Sequence, residues 1–134
     1  MLATIPVILA LAFAPDLDQK IFPMLQTYVA QRAAEFDQIP AERQADLKKL
    51  AAYIRDQRAA DKPVRLIFIC THNSRRSHLA QLWAAVAADH YGLEHIETFS
   101  GGTEATAFNP RAVAAVQRAG FQVDSPTGDK NPRY

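Results

Sequence analysis

The chain has 134 residues, 49% hydrophobic and 22% charged, with a formal net charge of +1 and one cysteine. That length suits a single domain, and the composition is that of an ordinary globular protein rather than a disordered or fibrous one. The near-zero charge excludes a global signal for nucleic acid or a membrane surface, the lone cysteine excludes a disulfide within the sequence, and no His/Cys/Asp cluster has the spacing of metal ligands.

Residues 1–14 are apolar, too few for a stable membrane span, which needs roughly 20 apolar residues. The segment reads as a packed N-terminal stretch, a wrongly chosen start codon, or a secretory core with Ala12-Phe13-Ala14 as the cleavage site. No Lys or Arg precedes the apolar run and Pro15 follows the cut, and both weigh against export. A single reactive thiol fits a reducing cytosol. The expected location is cytoplasmic, with export as the alternative should residues 1–14 act as a signal.

Beyond the apolar segment, 1–20, the sequence predicts a helical hairpin over 21–62. Phe22, Leu25, Val29, Ala33 and Phe36 recur at three- and four-residue spacing, the stripe of an amphipathic helix. Asp37-Gln38-Ile39-Pro40 forms a turn, with Pro40 in the first turn of a second helix. Leu47, Leu50, Ala51 and Ile54 make that helix's stripe. Such stripes serve first for packing against a sheet or a second copy.

Asp61-Lys62-Pro63 marks the break to an α/β domain over 63–134. From Val64 the chain reads strand, loop, helix, strand, helix, strand: a parallel sheet flanked by helices. The first strand is Val64–Ile69. Cys70 ends it, and Thr71-His72-Asn73-Ser74-Arg75-Arg76-Ser77 are all polar or charged. A helix follows from Ser77 to Ala88, with Trp83 on its core face. A helix N-terminus carries unpaired N–H groups and favours negative charge, so the loop entering it can cradle an oxyanion. The same field lowers a cysteine's pKa, and the thiolate is the nucleophile. Arg76 offers a planar fork for two anion oxygens. Ser77 can hydrogen-bond the sulfur. Asn73 is the natural left-handed residue of a loop that has no glycine. Thr71, His72, Asn73, Ser74 and Arg75 are the candidate anion-binding residues, although an exposed polar role alone suits His72 as well.

The second strand is His95–Phe99. Ser100 to Thr103 ends it and either flanks the same crevice or only reverses the chain. The next helix spans Pro110 to Ala119 and stops at Gly120, a C-cap. Phe121-Gln122-Val123 is read as a third short strand. Ligands of such sheets bind outside the carboxyl ends of the strands, where Cys70 lies.

Cys70…Arg76-Ser77, preceded by a strand and followed by a helix, resembles the Cys-x5-Arg-Ser signature of the low-molecular-weight protein tyrosine phosphatases and of the thioredoxin-coupled arsenate reductases that share their fold. The similarity extends through Phe99-Ser100-Gly101-Gly102-Thr103-Glu104 and Asn109-Pro110-Arg111-Ala112. The wording Cys-Thr-x-Asn-Ser-x-Arg-Ser is nearer the reductase form. The resemblance implies a flavodoxin-like strand order and a phosphocysteine intermediate. It assigns attack to Cys70, the grip on phosphoryl oxygens to Arg76 and thiolate stabilisation to Ser77. Three departures stand beside it. Arg75 replaces the phosphatases' second loop cysteine, no resolving cysteine is present, and no Asp-Pro supplies the general acid. Asp124 and Asp129 come too early for that acid. The domain ends at Asn131-Pro132-Arg133-Tyr134, short of the family's further strand and helix.

The leading expectation is an enzyme: a cysteine-dependent phosphatase for phosphotyrosine or small aryl phosphates, with no cofactor. The first alternative is an arsenate reductase drawing on an external thiol, since exchange needs a second sulfur. The other is a non-catalytic binder of phosphate or a phosphopeptide. Partners are therefore a phosphorylated protein or a phosphate or arsenate anion, with no nucleic acid. A sheet edge left open predicts self-association as a homodimer.

Overall fold

The computed structural model of the chain describes residues 22–104 and 106–124; the expectations placed on 1–20, Asp129 and 131–134 lie outside them. Helix α1 covers Pro23–Ala33, a single 3-10 turn Phe36–Gln38, and helix α2 Ala41–Ala59. Strand β1 is Val64–Cys70, helix α3 Arg76–His90, strand β2 Ile96–Gly102 and helix α4 Pro110–Ala119.

β1 and β2 pair in parallel, Val64 opposite Ile96 and Cys70 opposite Gly102. Side chains alternate across the sheet. Val64, Leu66, Phe68 and Cys70 are buried or half-buried, whereas Arg65, Ile67 and Ile69 are exposed. Helix α3 packs on both strands, as a crossover helix between parallel strands must. Trp83 on α3 stacks on Tyr28 of α1 at 5.2 Å and meets Phe121 edge-on at 5.2 Å. Trp83 is thus half-buried in an aromatic cluster with Tyr28 and Phe121.

Helix α1 rests on α4. The close approach falls at Gly120, where a Cβ would stand 2.6 Å from the backbone nitrogen of Leu25. Gly120 also takes φ 109°, which a side chain would strain. Its N–H bonds Gln117 O, and the Phe121 N–H bonds Val116 O, the paired bonds of a Schellman cap.

Two expectations are corrected. Phe121-Gln122-Val123 is not a strand, and among the described residues the sheet has two strands rather than three. The Phe121 N–H is taken by the helix cap and its ring by Trp83, so the segment serves α4 and α3 rather than a ladder. The helical stripes are also less buried than their spacing predicts. Leu25 is buried, but Phe22 and Phe36 are exposed, as are Leu47, Leu50 and Ala51 of α2. α2 touches β1, but it is built largely of Ala, Arg, Lys and Gln, strong helix formers that hold a helix with little burial. The remaining differences are boundaries: α3 begins at Arg76 rather than Ser77, and β2 runs past Phe99 to Gly102.

Candidate active site

The loop 71–75 joins the carboxyl end of β1 to α3. Asn73 takes φ 43°, the left-handed turn expected where glycine is absent. Arg75 is the N-cap of α3 but offers no side-chain cap, so no capping side chain occupies the first N–H groups of the helix.

Cys70, the last residue of β1, is half-buried. Its Sγ lies 3.1 Å from Ser77 Oγ, and Ser77 Oγ donates to Asn73 Oδ1 at 2.8 Å. Ser77 is only 2% exposed, so this hydroxyl is fixed by packing as well as by its bonds. The thiol's pKa falls from 9.0 to about 6. The Ser77 hydroxyl contributes most, then the Ser77 N–H, with smaller help from the N–H groups of Ser74 and Asn73, while partial burial opposes the shift.

The loop's N–H groups turn inward because its carbonyls are held outward. Thr71 O accepts from the N–H groups of Thr103 at 2.9 Å and Glu104 at 3.0 Å, and from Thr103 Oγ1 at 3.1 Å. His72 O accepts from Thr106 Oγ1. Asn73 O accepts from His78 Nε2 at 2.6 Å, and Ser74 O from the N–H of Asn109 at 2.8 Å. Ser74 Oγ donates to Ala107 O at 2.8 Å. Residues 103–104 and 106–109 thus strap the loop from outside. Gly102 leads into that strap, and a Cβ there would stand 2.6 Å from Asn73 N and 2.8 Å from Cys70 O. Gly102, the last residue of β2, therefore seats the loop as well as ending the strand.

Of the sequence-predicted residues, Cys70, Asn73 and Ser77 form one hydrogen-bonded cluster. Thr71, His72 and Ser74 are tied to the strap through their carbonyls. His72 Nδ1 donates to Glu104 Oε2 at 2.6 Å, with both side chains about half exposed. Arg75 and Arg76 are exposed at the start of α3, and neither joins an ion pair among the described residues. Sequence reasoning missed His78, Thr106 and Phe108. Their bonds and stacking are set by tertiary placement, and no spacing rule marks them. Among the described residues no cluster of three or more His, Cys, Asp or Glu could hold a metal ion, and no helix is long and apolar enough to cross a membrane.

Comparison with known proteins matches residues 65–130 to the low molecular weight phosphotyrosine protein phosphatase family. An arsenate reductase of Bacillus licheniformis is 41% identical over 64 residues, covering 48% of this chain and 43% of that protein. An arsenate reductase of Staphylococcus aureus is 35% identical over 65 residues, covering 48% and 46%. Arsenate reductase 2 of Staphylococcus haemolyticus is 36% identical over 70 residues, covering 49% and 50%. The chain spans about half the length of the curated relatives it matches. No solved structure matches it.

Proposed function

We propose that the chain, whose residues 65–130 match the low molecular weight phosphotyrosine protein phosphatase family, is a cysteine-dependent phosphatase acting on phosphotyrosine or small aryl phosphates. The observation that carries the reading is the Cys70 sulfur 3.1 Å from Ser77 Oγ in the first turn of α3, with its pKa lowered to about 6 chiefly by Ser77. Catalysis by such a site is positioning plus stabilisation of charge on the equatorial oxygens.

Cys70 Sγ attacks phosphorus, an S–P bond forms, and the bond to the aryl oxygen breaks with its electron pair leaving on that oxygen. The loop N–H groups and the Arg76 fork hold the three remaining oxygens. Water then attacks phosphorus, the S–P bond breaks, and phosphate and the Cys70 thiolate are released. Ser77 has one hydrogen for two neighbours. With Cys70 protonated, the thiol donates to Ser77 Oγ and Ser77 to Asn73 Oδ1. With Cys70 ionised, the Ser77 hydrogen turns to sulfur, and the departing thiolate is stabilised.

The test is hydrolysis of p-nitrophenyl phosphate, whose leaving group needs no proton, by the chain and its Cys70→Ser variant over pH 5 to 8. Turnover that Cys70→Ser abolishes and phosphate inhibits competitively is expected. Equal turnover in both proteins would reject the reading.

A second reading follows the relatives, which are named arsenate reductases. Cys70 attacks arsenic and displaces water. An external thiolate then attacks the Cys70 sulfur, the S–As electron pair leaves with arsenic as arsenite, and a second external thiol reduces the mixed disulfide. Arsenite release that depends on added glutathione or thioredoxin supports this course; arsenite absent with both systems present rejects it.

A further inference from the structure

We infer that His78 is a positioning residue of the oxyanion loop, acting through the Asn73 carbonyl to aim the Ser74 N–H at the site. The inference rests on the reading of residues 70–77 as an oxyanion site.

Four consecutive carbonyls, from Thr71 to Ser74, are held outward. The strap supplies the donors for three of them, from Thr103, Glu104, Thr106 and Asn109. Asn73 O is the exception, and its donor is His78 Nε2 at 2.6 Å. A carbonyl can only accept, so Nε2 carries the hydrogen. The imidazole is half-buried and stacked on Phe108, centroids 4.5 Å apart and planes 12° from parallel, which fixes where Nε2 points. Phe108 belongs to the strap, so the strap reaches the fourth carbonyl through the ring of His78.

Peptide planarity gives this bond its consequence. Asn73 C=O and Ser74 N–H lie in one rigid plane and point in opposite directions. Holding the oxygen outward holds the Ser74 N–H inward, on the side of the Cys70 thiol whose pKa it helps to lower. Asn73 also stands at φ 43°, a conformation its surroundings must hold. Without the His78 donor this plane loses the bond that fixes its carbonyl, and the Ser74 N–H is aimed less well at the thiolate and at any bound oxyanion.

The experiment is alkylation of Cys70 by iodoacetamide between pH 4.5 and 9, with and without inorganic phosphate, in the whole chain. Three proteins are compared: wild type, His78→Phe, which keeps an aromatic ring against Phe108 but has no donor, and His78→Gln, whose amide N–H reaches the same distance. Expected for His78→Phe is a higher pH midpoint and about three- to tenfold more phosphate for half-protection, the scale of one ordinary hydrogen bond. His78→Gln is expected to recover most of both. Wild-type midpoint and protection in His78→Phe would overturn the inference, as would a His78→Gln protein impaired equally. If circular dichroism shows His78→Phe unfolded, His78→Asn, whose amide is too short to reach Asn73 O, takes its place with the same expected result. Absence of phosphate protection in the wild type would instead strike the oxyanion reading, while the shift in midpoint still judges His78.

Discussion

Cys70 and Ser77 are separated by most of the loop, yet only 3.1 Å divides their side-chain heteroatoms. Ser77 is the largest influence on the thiol, so Ser77→Ala is expected to raise the midpoint of Cys70 alkylation from about 6 toward 9.0. An unmoved midpoint would place the main influence elsewhere. The sign for stability follows from linkage. The folded pKa lies below the unfolded one, so between pH 6 and 9 folding releases a proton. This group's contribution is absent below about 6, grows with pH, and is complete above 9. Urea unfolding of wild type against Cys70→Ser should show the wild type gaining on the variant from pH 6 to 8.5. Much of this cluster is legible in the sequence. A run of polar residues after an apolar strand announces the loop, and the lack of glycine singles out Asn73. His78 is illegible for a physical reason: its partner is a main-chain carbonyl, which every residue type supplies.

At the scale of elements, α4 is the most legible. Asn109 caps it by accepting from the Arg111 N–H at 3.0 Å, Pro110 opens it and Gly120 closes it. Gly120→Ala combines a left-handed φ with a Cβ against the α1 backbone. The expected loss is about 1–3 kcal/mol, measured by urea or thermal unfolding. A loss under about 0.5 kcal/mol, the ordinary range for an indifferent surface site, would show that α1 and α4 separate readily. The short apolar alternation at 121–123 misleads because a strand is defined by a neighbour to pair with, and three residues carry no information about one. The α2 stripe misleads similarly: helical spacing tells which residues share a face, but the burial of that face depends on what lies opposite.

The whole molecule presents a sheet of two described strands with a partly apolar exposed face. Ile67 is 62% exposed, Ile69 68% and Phe99 47%, beside the Arg65–Glu97 ion pair at 2.8 Å. A two-stranded sheet needs packing to be stable, and open strand edges invite pairing. Light scattering is expected to report self-association at working concentration, reduced in Ile69→Lys. A monomeric wild type would count against it. Parallel pairing and the covering helix α3 are legible from the order strand, helix, strand. The number of strands and the exposure of this face depend on contacts distant in sequence, which periodicity does not encode.

The outward anchoring of the loop carbonyls also bears on when order is acquired. Thr71 to Ser74 are fixed by bonds formed as the chain folds, so their conformational entropy is lost then and not when an anion arrives. Recognition therefore begins from a mould already set: an incoming oxyanion trades its hydration shell for donors that are waiting, and little of the interaction is consumed in ordering the protein.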